Sequence, residues 1–69
     1  MSDHVYKKIE LVGSSKTSVE DAIQNAISNA SKSLDHLDWF EVQEVRGDIK
    51  NGKVGYYQVT LKVGFRLNE

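Results

Sequence analysis

Cysteine and proline are both absent from this 69-residue chain, and tryptophan occurs once. Without cysteine there is no disulfide, no thiolate zinc site and no thiol nucleophile. The two histidines, His4 and His36, lie far apart without metal-ligand spacing, so no metal site is expected. Surplus charge is missing too. Nine Lys and Arg against ten Asp and Glu leave a net charge of −1, which is not the balance of a nucleic-acid binder. No apolar run approaches the roughly 20 residues that cross a bilayer. Met1-Ser2-Asp3-His4 has neither the basic nor the apolar region of a signal peptide. The expectation is a soluble cytoplasmic protein, without internal repeats, forming one small domain over residues 1–69. A chain this short buries only about 60% of its unfolded surface. With disulfides and metals set aside, oligomerisation is the remaining way to stabilise it.

What is present reads as three strands and a helix. Residues 5–12 alternate, with Val5, Ile9 and Leu11 towards a core and Tyr6, Lys8 and Glu10 away from it. Gly13-Ser14-Ser15-Lys16 has the composition of a turn. Thr17 with Glu20, or Ser18 with Asp21, can form a capping box that opens a helix. Val19, Ala22, Ile23, Ala26, Ile27, Ala30 and Leu34 then trace one helical stripe, so a helix is predicted over 18–34. A strand follows over 37–49. Phe40 and Val42 are in phase within it, but Val45 and Ile49 are not. A β-bulge near Gln43–Glu44 would return both to the core face and place Arg46 on the face of Trp39. Asn51-Gly52 marks a hairpin turn. The last strand, 53–67, carries Tyr57, Val59, Leu61, Val63, Phe65 and Leu67 in phase on one side.

The order βαββ fixes the topology. A helical crossover makes the first two strands parallel, and the hairpin sets the third against both. The simplest sheet is antiparallel throughout with order 1-3-2, an α+β fold packed on one helix. Its other face carries Trp39, Tyr56, Gln58, Thr60 and Arg46, and nothing in the chain is left to cover it. An uncovered face of this kind calls for symmetric assembly or a ligand.

Catalytic signals are weak. The serines cluster on the turn and helix without a motif histidine, His36 lies two residues before Asp38, and Glu41 and Glu44 read as surface carboxylates. Phosphate-binding glycine motifs do not occur. Trp39 is either a subunit contact or a stacking platform for a flat aromatic ligand. Stacking a base on one aromatic side chain is worth about 1–3 kcal/mol, whereas micromolar binding needs about 8 kcal/mol. A second wall is therefore required, and a symmetry-related copy can supply it. Gln58 offers a donor and an acceptor to the edge of a heterocycle. Arg46 and Arg66 suit either a phosphate or salt bridges to Glu41, Glu44 or Asp48.

At these residues the sequence resembles the dodecins, small flavin-binding proteins. The resemblance rests on Val-Tyr-Lys-Lys-Ile-Glu-Leu-Val-Gly-Ser-Ser (5–15), Asp-Ala-Ile-Gln-Asn-Ala (21–26) and Leu-Asp-Trp-Phe-Glu-Val (37–42). Val-Arg-Gly (45–47) and Tyr-Gln-Val-Thr-Leu-Lys-Val-Gly-Phe-Arg-Leu (57–67) complete it, in family order over almost the whole chain. It implies a hollow homo-oligomer of twelve copies, with flavins bound in pairs between tryptophans of symmetry-related subunits. Trp39, Gln58, Arg46, Glu44 and Arg66 are the cofactor-binding residues so implied. Arg46 stands where bacterial members that favour FMN carry arginine; FAD, riboflavin and coenzyme A are the other ligands the resemblance brings. The implied role is flavin storage and quenching of flavin photochemistry, without catalysis. The rival reading is a structural or protein-interaction oligomer, with Trp39 inside an interface.

Overall fold

The structure, a computed structural model, describes residues 3–67. Strand β1 (Tyr6–Ser15) leads into helix α1 (Val19–Ala30), followed by β2 (Leu37–Lys50) and β3 (Lys53–Arg66). The sheet is antiparallel with order β1-β3-β2, as the crossover argument requires. In an antiparallel ladder, residues directly opposite one another share a face. Leu11, Leu61 and Val42 form one such row, and Ile9, Val63 and Phe40 the next. On this side α1 covers β1 and β3. Ala22 and Ala26 meet Val59, Leu61 and Val63, with Ile9, Leu11, Ile23, Ile27 and Leu37 around them.

Small residues set how closely the helix lies on the sheet. A Cβ at Gly13 would run into the Ala22 carbonyl oxygen and come within 2.9 Å of the Ala26 Cβ. Gly13→Ala is therefore expected to force helix and strand apart at a cost of about 1–3 kcal/mol, read as a lower urea midpoint at unchanged slope.

Gly13, Ser14 and Ser15 continue β1 rather than forming the predicted turn. The buried Ser15 organises the corner instead. Its Oγ accepts from the Thr17 N–H at 2.8 Å and donates to Asp21 Oδ2 at 2.7 Å. Ser18 is the N-cap, and its Oγ accepts from the Asp21 N–H at 3.0 Å. The Ser18 N–H points to Ser15 Oγ at 3.4 Å, so the reciprocal arm of a capping box is replaced by Ser15.

The helix ends at Ala30, one turn short of the predicted 34. Lys32 and Ser33 donate to the carbonyls of Asn29 and Ala30, three residues back. The last turn thus tightens, and His36, at φ 63°, reverses the chain into β2.

Three irregularities shape β2, one of them a register shift between Asp48 and Ile49 near the hairpin. The register also shifts between Val42 and Glu44, the bulge expected from the phase of Val45. A third shift lies between Leu37 and Trp39. Leu37 and Phe40 therefore both face the helix side while Trp39 turns to the opposite face. Although Phe40, Val42 and Val45 sit on the helix side, α1 leaves them largely uncovered, and they are 47%, 44% and 53% exposed. The predicted core face of β2 is consequently an open apolar stripe. The β2–β3 hairpin runs past the helix and makes the chain 57 Å long, with a radius of gyration of 14.5 Å. A compact domain of this length would have a radius of about 11 Å. No helix among the described residues is long and apolar enough to cross a membrane.

Candidate functional site

The sheet face away from α1 is open, and its residues follow from the register. Lys8, Gly64 and Trp39 form one row; Glu10, Lys62 and Glu41 the next; then Val12, Thr60 and Glu44; then Ser14, Gln58 and Arg46. Tyr6 and Arg66 form the row beyond Lys8. The bulge at Gln43 brings Arg46 into phase with Trp39.

Trp39 is fixed from several sides. The six-membered ring of the indole lies over Gly64, where a Cβ would fall among its ring carbons. Glycine within a strand often marks such a close approach. Tyr6 meets the indole edge-on, with ring centroids 5.4 Å apart. The indole Nε1–H donates to Glu41 Oε2 at 2.9 Å. Lys8 Nζ lies 3.3 Å from the same oxygen and 3.4 Å from the other. The indole N–H, and secondly Lys8, hold the Glu41 carboxyl below its ordinary value. Trp39 remains 38% exposed.

The structure brings together some of the predicted residues and separates others. Arg46 and Gln58 are direct cross-strand neighbours, with Glu44 two residues before Arg46 and opposite Thr60. Trp39, however, pairs with Gly64, six positions from Gln58 along β3. At about 3.3 Å per strand residue this separates the two rows by roughly 20 Å. Arg66 lies at the Trp39 end, lining a cleft of about 160 Å³ with His36, Leu37 and Asp38. Within one chain, then, the indole and the Gln58 amide cannot hold the same ring.

Beyond the Trp39–Glu41–Lys8 group, several polar side chains of this face lack partners in the single chain. Among the described residues, neither Arg46 nor Arg66 forms an ion pair, and the Gln58 side chain has no hydrogen bond. Glu41 and Asp48, which might have paired with the arginines, face Lys8 and Lys50 instead. Asp48 Oδ2 is buried without a hydrogen-bond donor, its nearest cation being Lys50 Nζ at 3.9 Å. Gln58 borders a hollow of about 510 Å³ lined by Ser14, Ser15, Lys16 and Tyr56. A similar hollow between α1 and β1, of about 540 Å³, contains none of the predicted site residues.

Sequence reasoning did not single out Tyr6, Lys8, Glu41 and Gly64 as the setting of Trp39. The visible signal was Gly64, which interrupts the polar face of β3 between Lys62 and Arg66. No cluster of three or more His, Asp or Glu able to hold a metal occurs among the described residues.

Fold and face together define a small α+β chain with one sheet face left open. The sequence profile of the Dodecin family matches residues 5–68, and the chain belongs to that family. It is 60% identical over 65 residues to the dodecin of Thermus thermophilus, covering 94% of each chain. The dodecin structure from Streptomyces coelicolor superposes with a TM-score of 0.94 at 52% identity, covering 100% of this chain and 99% of that one. The calcium dodecin of Mycobacterium tuberculosis, with a calcium-binding site of its own, matches at a TM-score of 0.80 and 34% identity over 93% and 91% of the chains. A Thermus dodecin variant with a tryptophan replaced by phenylalanine matches at a TM-score of 0.93 and 57% identity, covering 97% of this chain and 100% of that one. Dodecins are flavin-binding proteins and not enzymes.

Proposed function

We propose that this chain stores FMN, stacking it in pairs between Trp39 side chains of two symmetry-related subunits in a hollow dodecamer, and quenches its photochemistry. The observation that carries this reading is the seating of Trp39. One face of the indole rests on Gly64, its polar edge is tied to Glu41, and it sits on the open face of the sheet. An indole fixed in this way is preorganised for a flat ligand and loses little freedom on binding.

The energetics favour two copies over one. A single stacked aromatic contributes about 1–3 kcal/mol towards the roughly 8 kcal/mol of micromolar binding. A two-fold axis would bring a second indole to the same ligand pair. It would also let Gln58 of another copy reach the heterocycle edge, which the roughly 20 Å gap along β3 denies to Gln58 of the same chain. Among the described residues, Arg46 and Arg66 form no ion pair, which suits them to a phosphate. The bare stripe Phe40, Val42 and Val45 supplies apolar area for assembly.

Titration of flavin-stripped protein into FMN should quench the flavin's emission to saturation. Riboflavin, which lacks the phosphate, should bind about tenfold more weakly, the effect of losing one charge-assisted contact. Unchanged flavin emission on an intact particle would instead assign Trp39 to a subunit contact.

A further inference from the structure

We propose that Glu41, steadied by Lys8, is a positioning residue that selects one orientation of the Trp39 indole and makes it a better electron donor; this rests on the flavin-stacking reading above. Gly64 settles the plane of the ring but not which edge points along the strand. Aromatic χ2 torsions have broad, roughly two-fold wells, so packing alone leaves a flipped ring available. The bond from Nε1–H to Glu41 Oε2, at 2.9 Å, removes that choice. Glu41 is two residues on from Trp39, on the same face, and Lys8 approaches both of its oxygens from β1.

The electrostatic part follows from where the charge sits. In quenching, an electron passes from the indole to the photoexcited flavin and then returns, with no bond made or broken. The indole is positive in between. A carboxylate accepting from its N–H stabilises that charge more strongly than a neutral acceptor does. Lys8 moderates the effect by opposing the carboxylate. Tyr6 and Glu10 of β1, Glu44 of β2, and Lys62 and Arg66 of β3 are the other titratable or charged side chains near Glu41 on this face.

Because Trp39 is the only tryptophan, its emission reports this contact in flavin-free protein. The Glu41 carboxyl lies below the ordinary 4.5 through its bonds to the indole and Lys8. Its contribution is therefore fully present above pH 4.5 and lost as pH falls through the lower folded value. Trp39 emission should change below pH 4.5, and Lys8→Met should move the midpoint upward. Glu41→Gln should abolish the change, whereas Glu10→Gln should leave it. An emission flat in the native protein, or titrating unchanged in Glu41→Gln, would overturn the proposal.

With FMN bound, Glu41→Leu should weaken affinity about fivefold, one net hydrogen bond. Glu41→Gln should lengthen the excited-state lifetime of the bound flavin severalfold; an unchanged lifetime would overturn the electron-donor role. Native protein that binds no FMN would overturn the flavin reading itself, and the emission titration would still decide whether Glu41 holds the indole.

Discussion

Trp39→Ala is expected to weaken FMN binding by about 100-fold, the upper end of what one stacked aromatic contributes, and to abolish quenching of whatever flavin remains bound. The upper end applies because the indole is already immobilised on Gly64 and Glu41, so little of its stacking energy is spent on ordering it. The fold should survive. Trp39 lies on the sheet face opposite Ala22, Ala26 and Leu61 and is not part of the core. The phenylalanine-bearing Thermus variant keeps a closely similar chain fold. A fluorescence titration run beside a measurement of particle mass checks both halves. Tight binding by the variant would remove the role given to Trp39, and collapse of the particle would make Trp39 an assembly residue.

Val42→Asp is expected to have the opposite profile: loss of the assembly first, and of flavin binding with it. Val42 lies midway along the apolar stripe left bare on β2, between Phe40 and Val45. An aspartate there would have to be desolvated at an interface without a partner, which costs several kcal/mol per ion. The isolated chain has little to fall back on. Among the described residues its largest fully buried side chains are only Leu61, Val59 and Val63, and its 14.5 Å radius of gyration reflects a hairpin that projects beyond the core. Dissociation should therefore bring loss of secondary structure, since folding and assembly are linked by mass action. Size-exclusion mass and far-ultraviolet circular dichroism read the two events. A large particle with an unchanged denaturation midpoint would show that this stripe is not where subunits meet.

Much of this architecture was legible from periodicity. The unbroken apolar phase of Val59, Leu61 and Val63 marked the central strand, the alanine-rich stripe marked the helix face, and crossover geometry fixed the strand order. Even the bulge at Gln43 could be inferred, because Val45 fell out of phase with Val42. The bulge at Asp38 was harder to see. Leu37 and Phe40 carry the same three-residue apolar spacing, but the helix that gives Leu37 its burial lies elsewhere in sequence. The helix end was misjudged because Leu34 extends the stripe, while the backbone bonds tighten three residues earlier.

That the candidate residues share one sheet face was legible in the sequence; their spacing along the strands was not. Trp39, Arg46, Glu44, Gln58 and Arg66 do share one face, as alternation and the bulge imply. Alternation says nothing of distance along the strand, and it is the pairing of Trp39 with Gly64 and of Arg46 with Gln58 that sets them apart. Glu41 read as a solvated surface acid because its bond to the indole is a local side-chain choice that no pattern of apolar residues encodes.

On the proposed reading, two copies build each flavin site. Flavin-stripped protein should be reloaded with FMN, and the mass of the particle and its flavin content measured together by light scattering and absorbance. The expected particle contains about twelve chains arranged by closed symmetry, with about one FMN per chain. A monomer that binds FMN with the same affinity would contradict the account, because it would possess one indole and no second wall.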